Sequence, residues 1–182
     1  MPQKNNNLSI IVPIYNEILI IESFAKTLIE TFAEYKCKYI FVDDGSVDGT
    51  KEWINNNIPI IYENELFQII NFKKNKGKGY SLRNAFNHAN TNYILIIDSD
   101  MEYNPLDGLE MYNIVKSNTK IDVLFGSRYI GGKVQHRVHF FNDIAVRINT
   151  FLYNFLFSQS ITDLHCGTKI FKKEILNNLN LN

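Results

Sequence analysis

The run Ile96-Ile97-Asp98-Ser99-Asp100-Met101-Glu102 joins the end of an apolar segment to three carboxylates. Tyr93 to Ile97 is short, apolar and rich in β-branched residues, which predicts a buried strand. In an open α/β sheet, ligands sit just beyond the carboxyl ends of such strands. Carboxylates crowded there repel one another unless a cation or a proton joins them. A hard divalent ion held by one or two carboxylates plus substrate phosphates satisfies that geometry, with Mg²⁺ as the type case. Taken alone, Asp-x-Asp is equally a strand followed by a polar loop, so the neighbouring segments decide.

Outward from this strand the chain alternates. Leu8 to Ile14 reads as a buried strand, with Pro13 marking its exit. Asn16 is the expected N-cap of a helix that starts at Glu17 and runs to about Tyr35. Lys38 to Val42 is a second strand, closed by Asp43-Asp44-Gly45-Ser46, and a helix follows Asp48-Gly49-Thr50 to about Asn56. Phe67 to Phe72 is a third strand, then a basic glycine loop from Lys73 to Gly79 and a helix from Tyr80 to about Ala89. Beyond Asp98, Asn104-Pro105 opens a helix over Leu106 to about Val115, with proline in its tolerated first-turn place. Asp122 to Gly126 is a strand, Phe140 to Phe157 an aromatic helix, and Lys169 to Phe171 a last short strand. Strands alternating with helices imply an α/β fold with a mainly parallel, Rossmann-like sheet flanked by helices. Tyr15 and Glu17, Asp43 and Asp44, Asp98 and Asp100, and Arg128 all follow strands, so the connections place them on one edge of that sheet, the ligand edge.

Composition narrows the function classes. The 182 residues suit one domain spanning 1–182. Lys+Arg and Asp+Glu are both 19, and this balance argues against a nucleic-acid binder. Cys37 and Cys166 lack partners at metal-site spacing and read as small core residues of a reducing compartment. There is no signal-peptide pattern and no apolar stretch of the ~18 residues a membrane span needs, so the expected location is the cytoplasm.

Six motifs in order carry a resemblance. Ile11-Val12-Pro13-Ile14-Tyr15-Asn16-Glu17 and Phe41-Val42-Asp43-Asp44-Gly45-Ser46-Val47-Asp48-Gly49-Thr50 resemble the opening motifs of the family 2 glycosyltransferases. Lys76-Gly77-Lys78-Gly79, Asp98-Ser99-Asp100, Gly126-Ser127-Arg128-Tyr129 and Asp163-Leu164-His165-Cys166-Gly167-Thr168-Lys169 follow in that family's order. The last two look most like the branch of dolichyl-phosphate mannosyltransferase and the bacterial polyprenyl-phosphate glycosyltransferases. The resemblance covers roughly residues 8 to 176.

The resemblance implies the nucleotide-sugar-binding (GT-A) fold and a metal-dependent, inverting transfer of a hexose from a nucleotide-diphosphate sugar to an isoprenoid lipid phosphate. The donor would be of GDP-mannose or UDP-glucose type, the metal Mg²⁺ or Mn²⁺, and the acceptor polyprenyl or dolichyl phosphate. Carried over by position, Pro13, Tyr15 and Glu17 would line the nucleotide pocket, and Asp44, with Asp43, would contact base or ribose. Asp98, Asp100 and Glu102 match the metal motif, whose third position is often Gln; Glu is a competent oxygen ligand. Lys78 resembles a phosphate-loop lysine, although Lys73, Lys74, Lys76 and Lys78 also suit a solvated basic loop. Arg128 and Arg147, through two-pronged donors, would neutralise phosphates beside Asp100; the alternative for each is a structural strut, and Lys169 has the same alternative.

The segment 139–157 is too apolar for a solvated helix. It either covers the sheet as core or presents an aromatic face to a lipid tail or membrane surface, a peripheral contact on the cytoplasmic side. Relatives continue past the point where this chain stops, so the expectation is a catalytic domain shortened at its C-terminus. Two other readings stand beside the transferase: a phosphohydrolase with an Asp-x-Asp strand, which in that class comes first in the chain rather than fourth, and a nucleotide-sugar-binding remnant without turnover. Transfer to a saccharide is a further variant. It would require a general base, for which the chain offers no spare carboxylate, whereas a phosphate monoester, with its second pKa near ~6, is already nucleophilic at neutral pH.

Overall fold

A computed structural model describes residues 7–101, 103–129 and 140–178. Six strands form one sheet: β1 (Leu8–Ile14), β2 (Cys37–Asp43), β3 (Leu66–Asn71), β4 (Tyr93–Ile96), β5 (Val123–Phe125) and β6 (Lys169–Lys172). Five helices alternate with them: α1 (Ile21–Thr31), α2 (Thr50–Ile61), α3 (Lys78–Phe86), α4 (Pro105–Ser117) and α5 (Phe140–Phe157). A 3₁₀ turn, Lys173–Asn178, follows β6. The strand order is β3-β2-β1-β4-β6-β5. β1 to β4 are parallel, with Ile11 opposite both Ile40 and Ile96, and β6 runs antiparallel between β4 and β5.

The near-continuous apolar runs of the inner strands follow from burial on both faces. Because side chains alternate along a strand, Ile10, Val12, Ile14, Tyr39, Phe41, Leu95 and Ile97 enter one core, and Ile11, Ile40, Val42, Ile94 and Ile96 enter the other. The first core is closed by α1, α2 and α4 through Phe24, Leu28, Ile54, Ile58, Met111 and Val115. The second is closed by Ala85 of α3, with Ala89 and Phe171. The reversal from β1–β2–β3 to β4 opens a crevice at the carboxyl edge.

Several helix boundaries differ from the sequence reading: α1 ends at Thr31 rather than about Tyr35, and α3 runs from Lys78 to Phe86 rather than from Tyr80 to about Ala89. α1 starts at Ile21 rather than Glu17, with Ile20 as N-cap, because Asn16 has φ +56° and its side chain serves a neighbouring loop. Asn tolerates that left-handed conformation through its short polar side chain. α2 passes Asn56 and reaches Ile61 with Pro59 in its last turn. Burial of Ile54 and Ile58 against the sheet outweighs the bond the proline removes. Asn104 caps α4 as expected, its Oδ1 accepting from the Leu106 N–H at 2.9 Å. Among the described residues no helix is long and apolar enough to cross a membrane.

Candidate active site

The turn after β2 is built by its own carboxylates. Asp43 is fully buried, and its oxygens accept from the N–H groups of Gly45 and Ser46 at 3.2–3.3 Å. Gly45, at φ +78°, has no room for a side chain: a Cβ there would stand 2.5 Å from the Lys74 carbonyl carbon. The basic loop therefore packs directly on this turn. Asp44 fastens it, its two oxygens accepting from Lys76 N–H at 3.0 Å and Gly77 N–H at 2.8 Å.

The loop after β1 is locked to the loop after β2 by reciprocal bonds. Asn16 N–H donates to Ser46 Oγ (2.9 Å), and Asn16 Oδ1 accepts from Val47 N–H (2.9 Å). Glu17 N–H donates to Thr50 Oγ1 (2.8 Å), and Ile18 N–H to Asp48 Oδ2 (3.1 Å). Thr50 Oγ1 in turn donates to Asp48 Oδ1 at 2.6 Å. These bonds hold Tyr15 and Glu17 over the crevice.

The crevice is a cavity of about 340 Å³ whose lining includes Pro13, Tyr15, Glu17, Asp44, Lys78, Asp98 and Asp100, so seven of the residues singled out in the sequence meet at one place. Ile14, Asn75, Gly77, Ser81 and Ser99 complete its wall. Lys78 Nζ lies 2.5 and 2.6 Å from the two oxygens of Asp98. Burial pushes the Glu17 carboxyl up, and the charges of Asp100, Asp48 and Asp98 push it further. Asp43 stands behind the cavity as part of the turn, and Arg128 and Arg147 lie outside its lining.

Arg128 grips Asp163, a fully buried carboxylate, through Nε at 2.7 Å and Nη2 at 3.0 Å. Arg147 donates to Asp143 at 3.1 Å and lies 4.7 Å from the centre of the Tyr129 ring. Tyr129 donates to the other Asp143 oxygen at 2.7 Å. Each arginine thus has the carboxylate partner that a strut requires. Two residues given no definite part by the sequence border the site. A Cβ at Gly167 would fall 1.8 Å from Asp98 Oδ2, so the carboxylate rests on bare backbone. Lys169 at the head of β6 is half-buried, and burial lowers its ammonium pKa, with Cys166, Lys78, Asp98 and Asp163 as its electrostatic neighbours. The signal for Gly167 was its place in the Cys166-Gly167-Thr168 run, but only the fold shows that Asp98 is what it accommodates.

Glu102 lies outside the described residues. Among the described residues no three His, Cys, Asp or Glu side chains converge as a closed metal cage. The donor set that is present, carboxylate oxygens of Asp98 and Asp100 facing an open cavity, fits a hard cation completed by diphosphate oxygens and water. The Lys78 ammonium already seated on Asp98 shows that the position accepts positive charge.

α5 has inverted polarity. Its buried and half-buried polar residues bond back into the fold: Asp143 meets Tyr129, Thr150 Oγ1 accepts from Leu164 N–H at 3.2 Å, and Asn154 pairs with the backbone of Ile161 at 2.7 and 3.0 Å. Ile148, Phe151, Leu152, Phe155, Leu156 and Phe157 point outward, with Phe155 75% exposed. The helix is therefore not core for the sheet.

The model of the glycosyl transferase family 2 domain matches residues 9–179. Dolichyl-phosphate beta-glucosyltransferases of Saccharomyces cerevisiae and Dictyostelium discoideum are 29% and 26% identical over 91% and 95% of this chain. These matches cover 54% and 56% of the relatives, so the chain spans about half their length. Among solved structures, a mannosyltransferase from Pyrobaculum calidifontis in complex with GDP-Man and Mn²⁺ superposes with a TM-score of 0.68 at 19% identity, covering 99% of this chain and 49% of that one. Glucosyl-3-phosphoglycerate synthase from Mycobacterium tuberculosis, in a complex with phosphoglyceric acid, gives 0.69 at 18%, covering 96% and 60%. These neighbours share the GT-A fold. With its motifs, its sheet and this domain match in agreement, the chain belongs to glycosyl transferase family 2.

Proposed function

We propose that the chain transfers a hexose from a nucleotide-diphosphate sugar to the phosphate of a polyprenyl or dolichyl lipid, with inversion at the anomeric carbon. The observation that carries this reading is the cavity at the carboxyl edge, where the Asp44-fastened loop, Lys78 and the Asp98–Asp100 pair meet. Tyr15 and Pro13 would wall the nucleotide, and Asp44, which also lines the cavity, would offer its remaining lone pairs to base or ribose. Asp98 and Asp100 would hold Mg²⁺ or Mn²⁺ there, and the ion would supply Lewis-acid stabilisation of the departing diphosphate. Lys78 adds a mobile positive charge beside the same oxygens. The lipid phosphate, ionised at neutral pH, needs no general base, and one in-line displacement inverts configuration. The inverted face of α5 supports a peripheral contact that would bring the chain to the cytoplasmic surface of a membrane.

The test incubates GDP-mannose or UDP-glucose and Mn²⁺ with dolichyl phosphate, and in parallel with soluble sugars, then identifies the product and its anomeric form. An inverted lipid-linked hexose is expected. A retained configuration, or transfer to soluble sugars alone, overturns the reading. Donor binding without any transfer favours the binding remnant.

A further inference from the structure

We propose that Lys78 is a built-in stand-in for the catalytic cation: its ammonium neutralises Asp98 while the site lacks metal and donor, and gives up that carboxylate to the incoming cation. The inference rests on the metal reading of the same cavity. Nζ sits 2.5 and 2.6 Å from the two Asp98 oxygens, a geometry that uses both of them at once. A divalent ion placed against Asp98 therefore meets Lys78 first.

The two partners differ in freedom. Asp98 is the fixed one: its side chain is only 18% exposed, and the Gly167 backbone backs onto Oδ2. Lys78 is the movable one, on a four-carbon stem with a side chain that is 46% exposed. It opens α3 between two glycines whose missing side chains would touch nothing within 4 Å, and Gly77 has φ +88°. The ammonium can leave Asp98 without breaking packing.

Charge supplies the reason for the arrangement. Glu17, Asp98 and Asp100 share one cavity, and without a counter-ion their repulsion would work against the fold around them. Lys78 offsets one of those charges. A divalent ion offsets two, but it and the ammonium cannot share Asp98 without mutual repulsion. The half-buried Lys169, electrostatically coupled to Lys78, adds to that repulsion. The displaced ammonium then needs an anion, and the diphosphate of the donor is the one that arrives. The cation and the nucleotide therefore bind cooperatively, each assisting the other through the movement of Lys78.

Titration of Mn²⁺ alone, read from the free-ion electron paramagnetic resonance signal, followed by calorimetric titration of GDP and UDP with Mn²⁺ present, tests the exchange. In Lys78→Met, Mn²⁺ alone should bind roughly five- to fiftyfold more tightly than in the wild type, within the usual range of coupling between sites. Nucleotide with Mn²⁺ should bind more weakly in the same variant. Lys78→Arg should keep the wild-type weakness toward Mn²⁺ alone. Equal or weaker Mn²⁺ binding by Lys78→Met overturns the stand-in while leaving the metal site in place. Mn²⁺ binding by neither protein, with or without nucleotide, overturns both the stand-in and the metal reading beneath it.

Discussion

Arg128 and Asp163 are joined by two parallel bonds, Nε to Oδ2 at 2.7 Å and Nη2 to Oδ1 at 3.0 Å, and the N–H groups of Arg128 and His165 fill the remaining acceptor positions at 3.2 and 3.1 Å. Burial alone would raise the Asp163 carboxyl, but these bonds and the guanidinium charge outweigh it and hold the group below the ordinary carboxylate range. A depressed pKa in the folded state contributes stability that is complete above the unfolded pKa, near ~3.9, and is lost as pH falls through the folded value. Asp163→Asn should cost about 2–3 kcal/mol at pH 7, less than the ~3–5 kcal/mol of a fully buried pair, since the Arg128 side chain is 29% exposed. Urea denaturation at pH 7, 5 and 3 is the check. The gap between wild type and variant should persist at pH 5 and narrow at pH 3.

Gly167 leaves room for Asp98. Its φ is not in the left-handed region, so an alanine backbone is unstrained, but the added Cβ would stand 1.8 Å from Oδ2 and 2.7 Å from Cγ of Asp98. Gly167→Ala should displace that carboxylate and weaken Mn²⁺-dependent nucleotide binding by about 1–3 kcal/mol while the fold persists. In an Asp98→Ala background the same substitution should add almost nothing, since the clash has lost its partner. Calorimetry on the four proteins of that cycle measures it, and an additive result would separate Gly167 from Asp98.

Thr50 is the centre of the lock between the first two loops, accepting from Glu17 N–H at 2.8 Å and donating to Asp48 at 2.6 Å. Thr50→Val keeps the shape and strands the Glu17 N–H, at a cost of about 1–3 kcal/mol in stability. Because Tyr15 and Glu17 line the cavity, the donor KM should rise more than kcat falls. Thermal unfolding with steady-state kinetics tests both parts.

Much of this was legible in the sequence because it depends on local pattern. The strands after which Tyr15, Asp44 and Asp98 fall are apolar runs, and a parallel α/β sheet places their ends on one edge whatever the details. What escaped depends on contacts between distant segments. Asn16 reads as a helix cap until Ser46 and Val47 are seen to claim it. Asp43 and Asp44 look interchangeable, yet one builds its own turn and the other fastens a loop more than thirty positions along the chain. Arg128 reads as a phosphate clamp or a strut, and only the fold shows that Asp163, 35 residues away, lies against it. The apolar content of α5 suited core and surface equally, and only the inward bonds of Thr150 and Asn154 show which side faces out.

Asp44 joins the nucleotide wall to the basic loop. With its oxygens on Lys76 N–H and Gly77 N–H, Asp44→Ala should release the loop and weaken nucleotide binding by about 1–3 kcal/mol, with or without metal. Asp44→Asn, which retains one acceptor oxygen, should lose less. Titration of GDP and UDP in EDTA and in Mn²⁺ separates the cases, and a loss seen only with Mn²⁺ would move Asp44 into the cation's shell.

The outward face of α5 gives the last prediction. Phe151 and Phe155 are 68% and 75% exposed, so replacing both with Ser removes little packing and should leave the unfolding temperature nearly unchanged. If this face rests on a membrane, each ring it buries there contributes on the order of 1 kcal/mol or more, and the double variant should bind phosphatidylcholine vesicles at least about tenfold more weakly. Nucleotide binding should be unaffected, because these residues are not part of the cavity wall. Transfer to dolichyl phosphate in vesicles should fall, while transfer to the same lipid in detergent, where no surface has to be found, should recover. Vesicle flotation with parallel assays in the two media decides it. Unchanged flotation would leave the face to a protein partner instead, and a large drop in unfolding temperature would show that the rings pack within the fold after all.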